Sequence, residues 1–254
     1  MSVPVVGSVA AGGLVCRVDV VGLSVDDVRV VLAGQVAAAG DRLSLAEGVL
    51  VQGVWLDAGP GVEGLLVLVV HHLVVDGVSW RVLVPDVREG LVAAVAGRGV
   101  RLAPVATSFR RWARYLVGEA RSRVGELGFW RGVRGVADPL LGVRALDAGV
   151  DTAASAGQLE LRLPVEVAGP LLGSVPGVFH GEVNDVLLAG LARAVRRWRG
   201  GGGPVLVDVE GHGREELAAG LDLTRTVGWF TTVYPVCLDP GEEGVSGALK
   251  RVKE

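Results

Sequence analysis

Cysteine, methionine, lysine and aromatic residues are scarce in this chain. Among 254 residues there are two Cys, one Met and 5% Phe, Trp and Tyr. Cys16 and Cys237 each sit in an apolar, strand-like context, so buried free thiols in a reducing cytoplasm are the default. Lys250 and Lys253 are the only lysines, and arginine carries the remaining positive charge. The formal net charge is −3, which gives no reason to expect nucleic acid or an anionic membrane as partner. No apolar run approaches the length of a bilayer crossing. The small, apolar N-terminus has no basic leader ahead of it, so a signal peptide is not expected.

Apolar residues make up half of the chain. That is enough to bury a core in one large domain or two small ones, and the valine content points to a large buried sheet. Strands are expected over residues 15–21, 49–56, 65–70, 159–163, 205–209 and 228–238. Ser24, with Asp27 three positions on, reads as the cap of a helix over 25–39. Trp80, Leu83, Val84, Val87 and Leu91 recur at helical spacing, with Pro85 expected to kink or break that helix. Thr107 or Ser108 caps the next helix, which puts Phe109, Trp112 and Leu116 on one face. Phe129 and Trp130 fall in a short helical piece. Residues 136–157 read as a linker, Pro164 suits a helix start, and residues 183–198 form an amphipathic helix stopped by Gly200–Gly203. The last residues begin another helix. Strands and helices alternate irregularly, so the class is α/β (α+β) in two lobes, 1–150 and 151–254.

The residues most apt for chemistry follow the apolar run 65–70: His71, His72, then Asp76, Gly77 and Ser79. Four readings of the histidine pair stand open on the residues alone. They are core histidines bonded to backbone; metal ligands with Asp76, for which no third ligand has suitable spacing; a nucleophile site using Ser79, which lacks an elbow pattern; and His72 as a proton donor and acceptor near neutral pH. Asp76 suits a turn, capping the following helix or locking it through an ion pair. Glu210 ends a valine-rich strand ahead of Gly-His-Gly. A carboxylate there is costly unless it is paired, with Arg214 or another arginine, or exposed in a cleft.

His71-His-Leu-Val-Val-Asp-Gly77 is similar to the HHxxxDG signature of nonribosomal peptide synthetase condensation-type domains. Glu210-Gly-His-Gly-Arg-Glu215, Arg225-Thr-Val-Gly-Trp-Phe-Thr231, Tyr234-Pro235, the 183–189 segment and Thr107-Ser-Phe-Arg-Arg-Trp112 resemble the epimerization subtype. The resemblance runs from about residue 65 to the C-terminus. It implies a two-lobed, chloramphenicol-acetyltransferase-like fold. It further implies a substrate that is an aminoacyl or peptidyl thioester on the phosphopantetheine arm of a peptidyl carrier protein, within neighbouring synthetase modules. The implied reaction is L-to-D inversion at the α-carbon, with His72 and Glu210 as the acid/base groups. His71, Asp76, Gly77, Arg214 and Arg225 would support them, the latter two as possible partners of Asp76. No metal and no intrinsic cofactor is implied, because the thioester itself stabilises the carbanion. Backbone N–H groups near the Asp76–Gly77 turn are candidates to face the enolate oxygen. The family's N-terminal motif has no match in residues 1–48 and its late motifs have none before Glu254, so a partial domain is expected. An amide-forming condensation domain and a non-catalytic carrier-docking remnant are the alternatives.

Overall fold

The computed structural model describes residues 11–254. Packing divides the chain into two compact units. Among the described residues, one is 11–117 together with His212–Thr231; the other is Gly118–Gly211 together with Thr232–Glu254. The expected boundary near residue 150 falls inside the second unit, because partners, not chain order, assign each segment. Residues 136–157 are likewise no free linker. Trp198 Nε1 donates to the Leu141 carbonyl at 2.9 Å, and Arg199 pairs with Asp138 at 3.3 Å.

In the first unit, β1 (Val15–Asp19), β2 (Val51–Asp57) and β3 (Leu65–Val70) form a sheet in the order β1-β2-β3. β1 runs parallel to β2, and β3 antiparallel to it with Val54 opposite Val67. Helix α1 (Val25–Asp41) makes the crossover between the parallel strands. Ser24 Oγ accepts the Asp27 N–H at its start, satisfying a helical donor that would otherwise need water. Val28, Val31 and Leu32 of α1 pack on buried Val20, Ala39, Val54 and Leu56. Burying one such Val or Leu stabilises by about 2 kcal/mol, so this cluster holds the central strand in register. β3 is half-buried, not buried as its apolar run predicts, because it has one strand neighbour among the described residues.

Helix α2 (Trp80–Val95) continues through Pro85. Pro85 and Arg81 are both exposed, so water can satisfy the carbonyl that the missing N–H leaves. The buried positions of α2 are Val82 and Ala93, whereas Val84 and Leu91 of the expected stripe are largely exposed. Helix α3 (Phe109–Ser122) is capped by Ser108, whose Oγ accepts the Arg111 N–H at 3.2 Å. Trp112 is its buried residue.

The second unit holds α4 (Leu127–Arg134), α5 (Val165–Leu172), α6 (Ser174–Val178), α7 (Val183–Trp198), β4 (Val205–Gly211), β5 (Thr232–Leu238) and α8 (Val245–Lys253). β4 and β5 form an antiparallel ribbon that pairs Val205 with Leu238 and Glu210 with Val233. Its inner face meets α7 through Ala192, Val195, Val205 and Leu238, with Val252 of α8 against them. Gly200–Gly203, all at positive φ, end α7 as expected. Residues 159–163 form no strand: Leu159 and Leu161 are 85% and 83% exposed. Alternation supplies the side-chain period, but a strand also needs a hydrogen-bonding neighbour, and none lies beside it among the described residues. Cys16 and Cys237 are free and partly buried. Among the described residues, no helix is long and apolar enough to cross a membrane.

Candidate functional site

β3 delivers the chain to a tight turn. The His71 N–H donates to the Leu50 carbonyl at 2.9 Å, which extends the sheet contact by one residue. The His71 ring then folds back, and its Nδ1 accepts the Leu73 N–H at 3.1 Å. That bond fixes the tautomer with the proton on Nε2. A single 3-10 turn, His72–Val74, follows. His72 stands on it exposed, with its ring 4.9 Å from that of Trp229 at an interplanar angle of 61°. Of the two histidines, His71 is engaged with its own turn and His72 is open to solvent.

Four residues beyond His72, the chain buries a carboxylate. Asp76 is 2% exposed. Its Oδ1 accepts the Ser79 N–H and hydroxyl, both at 2.8 Å, and Arg214 Nη2 at 2.9 Å. Its Oδ2 accepts Arg214 Nη1 at 2.6 Å and the Phe230 N–H at 3.1 Å. Burial alone would raise the carboxyl's proton affinity. The Arg214 fork, Ser79 and the Phe230 N–H outweigh it and hold Asp76 well below the usual carboxylate range. Asp76 is therefore an ionised, saturated acceptor with no lone pair left for substrate. It is an anchor, not a proton shuttle.

The anchor fastens the His212–Thr231 segment. The Arg214 guanidinium lies 4.1 Å over the Phe230 ring and also reaches Ser79 Oγ at 3.0 Å. Ser79 Oγ accepts the Gly228 N–H at 3.1 Å and lies 3.0 Å from the Gly228 carbonyl, which competes with Asp76 for its single hydrogen. Below this, Phe230 joins Trp112, Leu221 and Leu223 in a buried cluster, edge-on to Phe109. Gly213 has φ +66°, and a Cβ there would stand 1.8 Å from the Phe230 carbonyl oxygen; at Gly228 it would enter the Phe109 ring. Neither position admits a side chain. The strand expected from Gly228 starts only at Thr232, because Gly228 and the Phe230 N–H give their backbone groups to Ser79 and Asp76 instead of a ladder.

Of the residues expected to act together, the structure brings His71, His72, Asp76, Gly77 and Arg214 into this one part of the first unit. Arg225 is not a partner of Asp76. It forms a forked pair with Asp86 of α2 at 2.7 and 2.9 Å and reaches the Ala103 carbonyl. Glu210 lies in the second unit, on the exposed edge of β4. It makes no ion pair among the described residues, and Arg214, its anticipated partner, is taken by Asp76. Ser79 is a buried clamp and not a nucleophile. Trp229 and Gly228 were not singled out by motif reading, although both lie within the Arg225–Thr231 run that carries the resemblance. Among the described residues, no group of His, Cys, Asp or Glu is arranged to hold a metal.

The condensation domain family model matches residues 39–254. One of the linear gramicidin synthase proteins of Brevibacillus parabrevis is 42% identical over 216 residues, which is 84% of this chain and 4% of that protein. Tyrocidine synthase 1 of the same organism is 31% identical over 231 residues, 90% of this chain and 21% of that one. The crystal structure of the epimerization domain from the third module of tyrocidine synthetase B superposes with a TM-score of 0.72 at 31% identity. It covers 94% of this chain and 54% of that one. The first condensation domain of the calcium-dependent antibiotic synthetase, in complex with a substrate analogue, gives 0.58 at 25% identity, covering 94% and 51%. The chain thus spans a small part of the synthases and about half of each solved domain. Its mixed helices and strands have the chloramphenicol-acetyltransferase-like fold of these structures, and the chain belongs to the condensation domain family.

Proposed function

We propose that the chain is an epimerization-type domain of a cytoplasmic nonribosomal peptide synthetase, an isomerase inverting the α-carbon of an aminoacyl or peptidyl thioester. The observation that carries this reading is the likeness to the solved epimerization domain, at 31% identity and a TM-score of 0.72, against 25% and 0.58 for the condensation domain. The substrate arrives on the phosphopantetheine arm of a peptidyl carrier protein from a neighbouring module. One group removes the α-proton and the C–H electron pair moves into the thioester enolate. A second group returns a proton to the opposite face, so atoms and charge balance without a redox partner. His72 and Glu210 are the two groups. His72 is supported by its exposure on a turn whose other ionisable groups, His71 and Asp76, are already committed to hydrogen bonds.

The test is α-deuterium exchange from D2O into a carrier-bound aminoacyl thioester. His72→Gln or Glu210→Gln lowers exchange by roughly 100-fold or more, the usual contribution of a general acid or base. Exchange at the parental rate in both variants overturns the assignment. The second reading, amide formation between donor and acceptor carriers, is favoured by the family match itself. A new amide formed on supplying both carriers, with no α-exchange, would establish it instead.

A further inference from the structure

We infer that Trp229 sets the orientation of the His72 imidazole and is a positioning residue for it; its effect on catalysis rests on the epimerization reading. Trp229 is 44% exposed, so burial of its indole does not explain where it stands. Its backbone does. On one side, Gly228 gives its N–H to Ser79 Oγ and holds its carbonyl 3.0 Å from the same oxygen. On the other, Phe230 gives its N–H to Asp76 Oδ2. Both clamps, Asp76 and Ser79, lie in the β3–α2 connection, residues 71–79, that begins with His71 and His72. This connection therefore carries the imidazole and grips the two neighbours of the residue that presents the indole, so the two rings are referenced to one another. The edge contact at 4.9 Å and 61° lies in the favoured range for aromatic pairs. It restricts rotation about the second side-chain torsion of His72, a torsion with a broad, soft profile when nothing packs on the ring. An exposed imidazole without that contact samples several directions, and a proton transfer that needs one of them is slowed in proportion.

The experiment uses the 254-residue chain and reads the contact without relying on turnover. With four histidines in the sequence, the imidazole Cε1–H resonances are few, and His72→Gln identifies the one concerned. Trp229→Ala should shift that resonance toward the value of a histidine free of ring current and remove its nuclear Overhauser effect to the indole, leaving those of His71 and His180 in place. Under the epimerization reading, Trp229→Ala also lowers kcat for α-exchange by roughly tenfold while KM stays within about twofold. Trp229→Phe, which keeps a ring, restores most of the rate. An unmoved His72 resonance in the Ala variant overturns the inference, as does a Phe variant that is as slow as Ala. A parental chain that shows the His72–Trp229 contact but no exchange removes the proposed function and leaves the positioning intact.

Discussion

At the scale of single residues, the most consequential positions are those with no freedom. Gly213 meets the Phe230 carbonyl and has a left-handed φ. Gly213→Ala is therefore expected to cost about 2–3 kcal/mol or more, from strain and clash together, read as a lowered urea midpoint. Asp76 makes the stability of the fold depend on acid. Its ordinary value is 3.8 and the folded value lies below that, so the unfolded chain takes up the proton first. The stabilisation is complete above about pH 4 and is lost as pH falls through the lower folded value. Urea midpoints measured downward from neutrality should fall more steeply for the parental chain than for Asp76→Asn. Part of the slope remains in the variant, because the Gly59 N–H and Arg17 also lower Asp57. Parallel slopes in the two proteins would refute the anchor. The HHxxxDG run marked Asp76 as a turn and ion-pair residue because it precedes Gly77 in a tight turn, where an aspartate side chain bonds nearby backbone. It did not identify the counter-ion, since Arg214 and Arg225 are equally plausible by spacing and only the fold brings one to Asp76 and the other to Asp86.

At the scale of elements, strength lies in the pairing of the α2 start with the loop between β4 and β5. Removing one partner of a buried ion pair leaves the other charge stranded, so Asp76→Asn should destabilise by about 3 kcal/mol. Combined with Arg214→Met, the loss should be smaller than the sum of the single losses by more than about 1 kcal/mol in a double-mutant cycle. Additive losses would show that the two side chains do not act as a unit. The opposite expectation holds for residues 159–163. Replacing Leu159, Leu161 and Leu163 with serine should change unfolding free energy by no more than about 0.5 kcal/mol each, as for surface substitutions generally. Helices were the most legible elements: α7 has its expected bounds, and Ser24 and Ser108 cap α1 and α3, because caps and periodicity are written within the segment itself. Strand readings failed at 159–163 and 228–231, where pairing had to come from elsewhere in the chain.

At the scale of the whole molecule, the two units can be read separately by hydrogen exchange. Asp76→Asn should speed exchange of amides in residues 212–231 and around the α2 start, while those of α7 and β4 keep their protection. Uniform acceleration throughout the chain would show that the Asp76 cluster supports more than its own unit. The apolar content, the alternation of helices and strands, the helix caps and the order of the motifs were all set by sequence, because each depends on residue type and near-neighbour spacing. Tertiary structure alone decided that residues 212–231 join the first unit, that Arg214 and not Arg225 meets Asp76, and that Trp229 stands against His72. Each of those contacts joins residues far apart in the chain, and a chemistry shared by several candidates resolves to one only when the fold has placed their atoms.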